Sequence, residues 1–230
     1  MRTAAVLPIK RFGDAKQRLG SLLGAGSRGA LAQAMFLDVV AALRRTRAIE
    51  QVVIVASEPA VEFATDDHVV VLEDTVDEGQ SAAALAGIGW AAAAGFDRVF
   101  LVPGDTPLLV PDELDALLDG AAGDRMQVVI VPDRHHEGTN ALLLSPPDVL
   151  EPSFGPGSLE RHVSAAQAAG VTHRVERVPS LLFDVDTSDD LAVVAAAIEE
   201  RRTAAPRTRG ALRQLERSGA RMHQAAGAGS

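Results

Sequence analysis

Five short apolar runs, rich in β-branched residues, set the strongest limit on the fold of this chain. They occupy residues 3–9, 51–57, 68–73, 98–104 and 126–132. Runs of this length and composition predict strands that are buried on both faces, as in a parallel sheet. Longer amphipathic or alanine-rich segments between them predict helices, at 27–46, 81–94 and 111–118. The alternation predicts a doubly wound α/β fold, with a mostly parallel central sheet and helices on both faces.

The second half of the chain has a less regular pattern. Strands are predicted at 140–145, 171–178 and 183–186, and helices at 156–170 and 187–202. Gly170 suits the end of the first of these helices, and Thr187 followed by Asp190 is a weak capping box for the second. From residue 204 the chain is rich in Ala, Gly and Arg. We therefore predict a folded domain at 1–203 and a flexible basic tail at 204–230, outside the core and dispensable.

Charge and composition exclude several classes of function. Residues 1–200 carry 15 basic and 30 acidic side chains, whereas residues 201–230 carry seven Arg and one Glu. An acidic body disfavours nucleic acid as a partner. The uncharged, mostly Ala and Gly stretch at 81–96 is shorter than the ~20 apolar residues of a membrane span. The chain has no Cys and shows no signal-peptide pattern, so we expect a cytoplasmic protein without thiolate chemistry, Cys-based zinc or a membrane partner.

Positive charge is concentrated in the loop after the first predicted strand. Lys10, Arg11, Lys16 and Arg18 lie within nine residues, around Gly13. Ligands of open α/β sheets bind beyond the carboxyl ends of the strands, and converging cations neutralise the oxygens of a polyphosphate. The chain has 20 Arg and only two Lys, both in this loop. Because Lys acts as a compact point charge, we favour a polyphosphate site over a solvated basic loop.

Carboxylates follow two other predicted strands. Asp105 comes directly after the fourth run, in the sequence GDTP, and Asp184 and Asp186 belong to the run at 183–186. Residues i and i+2 of a strand share a face, so the last two carboxylates are expected to point the same way. Carboxylates together with substrate phosphates are common ligands of Mg²⁺. Turn capping by Asp105 and helix capping by Asp186 are the alternatives that the pattern leaves open.

Small polar residues mark the start of two predicted helices and of one strand. In the segment 77–87, Asp77 and Glu78 can accept hydrogen bonds from a purine, and Gly79 and Ser81 open a helix whose N-terminus can meet a phosphate or a base. An ordinary acidic helix start explains the same residues.

A second set of hydroxyls lies beside glycines in the segments 136–144 and 153–162. Thr139 opens a strand, and Gly155 and Ser158 precede a helix. A second anion site and a simple turn with an N-cap both explain this pattern. The histidines give no functional prediction, since the adjacent His135 and His136 face apart in a strand. The chain has no P-loop, nucleophile elbow or G-x-G-x-x-G motif.

Taken together, these segments resemble the 2-phospho-L-lactate or phosphoenolpyruvate guanylyltransferases of coenzyme F-420 biosynthesis. The matching segments run in family order over residues 8–191: PIKRFGDAKQRL, EGQSAA, VPGDTPLL, GTNALLL, FGPGSLERH and DVDTSDDL. The resemblance implies a GT-A-like, Rossmann-type three-layer fold with GTP as donor and Mg²⁺ as cofactor. It also implies transfer of GMP to the phosphate of a small three-carbon acid, with release of pyrophosphate. The first loop departs from the wider superfamily because Gly13 is its only glycine, so cations must do more of the phosphate binding.

The resemblance also implies roles for individual residues. The catalytic residues are Lys10, Lys16 and Asp105. The nucleotide site comprises Lys10, Lys16, Arg18, Glu78, Gly79 and Ser81. Mg²⁺ is held by Asp105 with Asp184 or Asp186, and the acceptor is bound by Thr139, Gly155 and Ser158.

Two other functions stay open at this stage. One is guanylyl transfer to a molybdopterin, which needs a larger acceptor pocket. The other is a non-catalytic nucleotide-binding module, which the acids at the strand ends disfavour. The Ala- and Arg-rich composition is typical of a high-GC bacterium and favours phosphoenolpyruvate over 2-phospho-L-lactate. A homodimer and a downstream transferase that accepts the product are the candidate partners beyond the substrates.

Overall fold

The structure, a computed structural model, describes residues 1–9, 16–20, 23–56, 67–74, 79–121, 123, 126–201 and 203–227, with side chains up to residue 217. The strands are β1 Thr3–Ile9, β2 Gln51–Ala56, β3 Val69–Glu73, β4 Arg98–Leu101, β5 Gln127–Pro132, β6 Thr139–Ser145 and β7 Thr172–Val175. The α-helices are α1 Ala25–Leu43, α2 Gln80–Ala93, α3 Pro111–Gly120, α4 Ser158–Ala168, α5 Ser188–Glu200 and α6 Pro206–Gly227. Short 3₁₀ turns lie at Gln17–Leu19 and Pro179–Leu181.

The described strands form one seven-stranded sheet in the order β3-β2-β1-β4-β6-β5-β7. β6 is antiparallel to its neighbours β4 and β5, and the other pairs are parallel. The predicted mostly parallel, doubly wound sheet is therefore confirmed. Because β6 runs the opposite way, its first residue, Thr139, pairs with the last residue of β5, Pro132. The start of β6 thus lies at the sheet edge where the parallel strands end.

Helices cover both faces of the sheet. On one face, α1 and α3 pack against the strands through large side chains such as Phe36 and Leu117. On the other face, α2 and α4 pack through residues such as Ala84 and Leu159. The contact of α2 is close, because a Cβ at Gly87 would lie 2.3 Å from Val6 Cγ1 of β1. This spacing explains the glycine at position 87, in a helix in which nine of the 14 residues are Ala or Gly.

Local signals in the sequence set several helix ends as predicted. Pro111 opens α3, with Asp112 in its first turn. The capping box of α5 is present, since Thr187 Oγ1 accepts from the Asp190 N–H and the Asp190 carboxylate accepts from the Thr187 N–H. Gly170, with φ of 65°, follows the end of α4.

Residues 183–186 do not form the predicted strand. The N–H of Asp186 donates to the Asp190 carboxylate at 3.1 Å instead of pairing with a neighbouring strand. The N–H of Val185 donates to the carbonyl of Asp105 at 3.2 Å, and the Val185 side chain is fully buried. The segment is therefore held by side-chain burial and by the cap of α5 rather than by a strand ladder.

The expectation that the tail lies outside the core is wrong for residues 204–215. Its flexibility stays a prediction. Ala204, Ala211, Leu212 and Leu215 pack against a cluster built from α1 and α5, which also contains the buried Ala205. The apolar residues of α6 are few, but their helical spacing puts Ala211, Leu212 and Leu215 on one face. Composition alone does not show this face, because it depends on the spacing of the apolar residues and not on their number. The division of the chain at residue 203 stays a prediction.

Among the described residues, no helix combines the length and the apolar character that a membrane crossing requires.

Candidate active site

A lysine side chain joins two carboxylates at the edge where β4 ends. Lys16 Nζ donates to Asp105 Oδ2 and, at 3.1 Å, to Asp186 Oδ1. The Lys16 side chain is only 8% exposed. Burial acts to lower the pKa of Lys16, but the charges of Asp105 and Asp186 and their hydrogen bonds outweigh it, so the pKa is raised. Lys16 is therefore a buried cation whose charge these two carboxylates balance.

Backbone contacts bring the two acidic segments together. Asp105 follows Gly104, where a Cβ would lie 2.9 Å from Phe36 Cδ2 of α1. The turn after β4 therefore packs directly on α1, with no room for a larger residue at position 104. The hydrogen bond from the Val185 N–H to the Asp105 carbonyl then holds Asp184 and Asp186 beside this turn.

Asp184 is the third carboxylate of this group. Its Oδ1 accepts a hydrogen bond from Asn140 Nδ2 at 3.1 Å, and Nδ2 also donates to the carbonyl of Leu181 at 2.6 Å. Burial raises the pKa of Asp184, the Asn140 hydrogen bond opposes this, and the charges of Asp105 and Asp186 raise it further. The Asp184 carboxylate is therefore held in a costly position that a cation would relieve.

Asn140 is a residue of this group that the sequence analysis missed. The ladder between β5 and β6 is irregular here, since Val131 pairs with Ala141 and Pro132 pairs with Thr139. Asn140 is the extra residue in this bulge, and bulges commonly redirect side chains next to active sites. Its position beside Thr139 in the segment GTN was the available signal.

The donor set fits a hard cation such as Mg²⁺. Carboxylate oxygens are the ligands that Mg²⁺ prefers, and Asp105 Oδ1 is buried without a hydrogen-bond partner. A buried acceptor in this state is a ready ligand atom. Within the part of the chain that the structure describes, no group of three or more His, Cys, Asp or Glu side chains is arranged to hold a metal ion. The metal role of Asp105, Asp184 and Asp186 stays a prediction.

The first turn of α5 contains a further carboxylate, Asp190. Asp190 forms an ion pair with Arg134, and its other oxygen accepts from Asp186 N–H and from Thr187. Burial acts to raise the pKa of Asp190, but these hydrogen bonds and the charge of Arg134 outweigh it and lower the pKa. Arg134 therefore helps to hold the segment that carries Asp184 and Asp186, a role that sequence patterns did not indicate.

Thr139, at the start of β6, contacts a buried histidine of α4. Thr139 Oγ1 lies 2.9 Å from His162 Nδ1, and His162 Nε2 accepts the N–H of Ser153 at 2.9 Å. His162 is fully buried, and its ring packs edge-on against Phe154 with the ring centroids 5.5 Å apart. Burial, helped by the charge of Arg161, lowers the pKa of His162 to about 4. The sequence analysis assigned His162 no role.

The exposed Arg161 of α4 stabilises the loop that precedes this helix through several hydrogen bonds. The Arg161 guanidinium donates to Ser153 Oγ at 3.0 Å and to the carbonyls of Ser153 and Phe154 at 2.9 Å and 3.3 Å. Gly155 and Gly157 have φ of 108° and 70°. These values favour glycine, so the backbone path accounts for the two glycines of the sequence FGPGS.

Ser158 is the first residue of α4 and is 1% exposed, and its hydroxyl has no hydrogen-bond partner among the described residues. It lies one turn before His162, so both share the buried face of the helix. Leu159 N–H donates to the carbonyl of Glu137 at 3.2 Å, which ties this end of α4 to the start of β6. These contacts place the start of α4 beside the start of β6. The acceptor-binding roles of Thr139, Gly155 and Ser158 stay a prediction.

The nucleotide side of the site is described in part. Gly79, with φ of 102°, precedes α2, and Ser81 Oγ accepts the N–H of Phe154 at 3.1 Å. Arg18 is exposed at the end of the 3₁₀ turn. The other nucleotide-site predictions, Lys10 and Glu78, lie outside the described residues, as does Asp77.

Known proteins share this fold and much of this sequence. Phosphoenolpyruvate guanylyltransferase of Conexibacter woesei is 45% identical over 95% of this chain and 98% of its own length. 2-Phospho-L-lactate guanylyltransferase of Methanothermobacter thermautotrophicus is 33% identical over 84% of each chain. A solved nucleotidyl transferase from the same archaeon superposes with a TM-score of 0.62 over 87% of this chain and 99% of its own, at 18% identity. At this identity the superposition shows only that the two proteins share a fold.

The family model described as "Guanylyl transferase CofC like" matches residues 3–207, which include every site residue discussed above. The matched region extends into the first turn of α6, beyond the division expected at residue 203. With its relatives named as guanylyltransferases, the chain is a nucleotidyltransferase. It belongs to the CofC-like guanylyl transferase family.

Proposed function

We propose that this chain transfers GMP from GTP to the phosphate of phosphoenolpyruvate and releases pyrophosphate, as a step of coenzyme F-420 biosynthesis. The observation that carries the proposal is the buried, unpartnered Ser158 hydroxyl at the start of α4, one turn before His162, whose ring contacts Thr139. Hydroxyls at a helix N-terminus suit a small phosphorylated acid. The choice of phosphoenolpyruvate is supported by the 45% identical relative that is named for it.

The chemistry follows from the charges of the reactants. An oxygen of the acceptor phosphate attacks the α-phosphorus of GTP, and the bond from that phosphorus to the oxygen bridging to the β-phosphate breaks. The attacking oxygen is already an anion, so no strong general base is required. The main barrier is the approach of two anions, which positioned cations reduce.

Lys16 and Lys10 are the residues proposed to bind the triphosphate. Lys16 is already buried between Asp105 and Asp186, so its charge is held beside the carboxylates that are proposed to bind Mg²⁺. Asp105, with Asp184 or Asp186, would hold Mg²⁺, which when bound supplies neutralising charge for the α-phosphate and the departing pyrophosphate. Glu78, Gly79, Ser81 and Arg18 remain proposed nucleotide contacts. We further propose that the protein acts in the cytoplasm and forms a homodimer. A downstream transferase would accept its product.

The decisive experiment combines pyrophosphate release with mass analysis of the nucleotide product. Purified protein is supplied with GTP and either phosphoenolpyruvate or 2-phospho-L-lactate, with Mg²⁺ or with a chelator. The proposal expects a GMP adduct of phosphoenolpyruvate that requires Mg²⁺. The 33% identical relative is named for 2-phospho-L-lactate. If the protein turns over that compound preferentially, the proposal of phosphoenolpyruvate as acceptor is wrong.

A serine variant tests the acceptor site itself. Ser158→Ala is expected to raise the acceptor KM about 10- to 100-fold, because a hydrogen bond to a charged group contributes roughly 1.5–3 kcal/mol. The GTP KM should change less. Ser164→Ala, on the exposed face of the same helix, is the matched control. An equal or larger effect of Ser158→Ala on the GTP KM would move this residue to the nucleotide site.

A further inference from the structure

We propose that His162 is a positioning residue, which turns the hydroxyl proton of Thr139 toward the acceptor. The inference rests on the proposed function, because it takes Thr139 as an acceptor contact. Nothing in the sequence pattern singled out His162, and the family resemblance gave it no role. Its ring makes two hydrogen bonds, one through each nitrogen.

The backbone of Ser153 fixes which nitrogen of His162 carries the proton. Its N–H lies 2.9 Å from His162 Nε2, and an N–H group can only donate. Nε2 must therefore present its lone pair, which in a neutral imidazole leaves the proton on Nδ1. The ring is fully buried, in an environment that disfavours the charged form. His162 is thus a neutral ring with a defined Nδ1–H.

The orientation of Thr139 follows from this tautomer. Nδ1 lies 2.9 Å from Thr139 Oγ1, so Nδ1–H donates and Oγ1 accepts. The hydroxyl hydrogen of Thr139 must then point away from the imidazole. An isolated hydroxyl rotates freely between donor and acceptor roles, whereas this one is held as a donor. An anionic acceptor needs donors, and a donor oriented in advance loses less entropy on binding.

The same ring also connects two parts of the acceptor site. Ser153 precedes the loop with Gly155, and Thr139 opens β6, where the ladder with β5 holds it. His162 therefore links the loop and the strand through opposite sides of one ring. A histidine that only fills the core would satisfy both hydrogen bonds as well, so the experiment must separate packing from orientation.

A double-mutant cycle makes that separation. His162→Phe keeps the ring shape against Phe154 and removes both nitrogens, and Thr139→Val keeps the shape of residue 139 without its hydroxyl. If His162 acts through Thr139, His162→Phe raises the phosphoenolpyruvate KM about tenfold in the wild type and less than about twofold in the Thr139→Val background. The GTP KM should change less than about twofold in both. Equal effects in the two backgrounds would overturn the proposal.

Further variants separate loss of the fold from loss of orientation. His162→Asn retains a donor near the Nδ1 position and is expected to keep the acceptor KM within about threefold of wild type. His173→Phe, on edge strand β7, where Nδ1 faces the Val171 carbonyl, is the matched control and should leave both KM values unchanged. An acceptor KM for His162→Asn as high as for His162→Phe would count against the proposal.

A spectroscopic measurement on the unmodified protein reads the tautomer directly. Long-range ¹H–¹⁵N spectra at pH 7 should show His162 neutral and protonated at Nδ1, and a ring protonated at Nε2 or charged would overturn the inference. Failure of the wild type to use phosphoenolpyruvate would instead refute the proposed function. Wild-type turnover with a KM that Thr139→Val does not change would refute the inference alone.

Discussion

The carboxylate of Asp38, buried in the middle of α1, accepts both the N–H and the hydroxyl of Thr208 in the first turn of α6, each at 2.8 Å. The N–H of Arg207 donates to the other oxygen of Asp38 at 3.2 Å. Two of the free N–H groups at the start of α6 thus find a partner 170 and 169 positions away along the chain. The C-terminal helix is bound to the nucleotidyltransferase fold at a defined place.

Asp38→Ala is expected to lower the free energy of unfolding by about 2–3 kcal/mol, because it leaves a buried hydroxyl and two N–H groups without their acceptor. Deletion of residues 206–230 should lower it at least as much, since Leu212 and Leu215 lose their packing. Urea unfolding measures both. Thr208→Ser keeps the hydrogen bonds and is the control. A truncated chain that is as stable as the full one would instead support the flexible, dispensable tail that the sequence predicted.

Asp105→Asn is expected to reduce turnover at least about 100-fold at saturating Mg²⁺, with the fold intact. Asn keeps the shape of the side chain but loses the charge that faces Lys16 and that the proposed metal requires. Steady-state kinetics and circular dichroism make the comparison, with the exposed Asp112→Asn of α3 as control. Near-normal turnover of Asp105→Asn would exclude a metal role for this residue.

Asp184→Asn should stabilise the protein without Mg²⁺ by about 1 kcal/mol while it lowers turnover. Burial and the neighbouring charges of Asp105 and Asp186 raise the pKa of Asp184, so the ionised form is costly in the folded chain. Asn removes the charge and keeps the oxygen that accepts from Asn140. Thermal melting with a chelator present tests the gain. A lower melting temperature would show that the Asp184 charge is already compensated.

The stability of the protein should carry an acid-sensitive contribution from His162. Its pKa falls from an ordinary 6.5 to about 4 on folding, because burial and Arg161 disfavour the charged ring. The unfolded chain therefore binds the proton more tightly. The stabilisation that comes from neutral His162 is fully present above pH 6.5 and is lost as the pH falls toward 4. The free energy of unfolding decreases by a total on the order of 3 kcal/mol over this range.

His162→Phe removes this titration. The difference in unfolding free energy between wild type and His162→Phe should therefore shrink as the pH is lowered from 7 to 4. Urea titrations at several pH values measure it. A difference that stays constant over this range would mean that His162 ionises normally in the folded protein.

Ser81 joins the start of α2 to the loop before α4, which is proposed to bind the acceptor, because its Oγ accepts the N–H of Phe154. If α2 meets the nucleotide, a bound GTP analogue should tighten acceptor binding, and Ser81→Ala should reduce this enhancement about three- to tenfold. Calorimetry of acceptor binding with and without the analogue gives the ratio. Ser164→Ala is the control, and an unchanged ratio in Ser81→Ala would separate the two subsites.

The sequence predicted those features whose causes are local. The β-branched run at 51–57 cannot avoid burial in a sheet, and Thr187 with Asp190 caps a helix within four residues. The chain positions of Asp105, Thr139 and Ser158 at strand and helix ends followed from the same patterns and from the resemblance.

Features that depend on distant partners were not predictable. Asn140 reaches Asp184 only because of a bulge set by the register between β5 and β6. The tautomer of His162 depends on the direction of one backbone N–H, that of Ser153. α6 is anchored by Asp38, which the sequence shows only as an isolated charge within the apolar stripe of α1.

The contact between Gly104 and Phe36 has an evolutionary consequence. A side chain at residue 104 would meet the Phe36 ring at 2.9 Å, so an enlarged residue 104 requires a smaller residue 36 or a shift of the turn that carries Asp105. Such a shift would move the carboxylate away from Lys16. The size of the side chain at position 36, in the interior of α1, is therefore coupled to position 104, which is distant in sequence but adjacent in the fold. The packing of the core at this point therefore fixes the place of the Asp105 carboxylate.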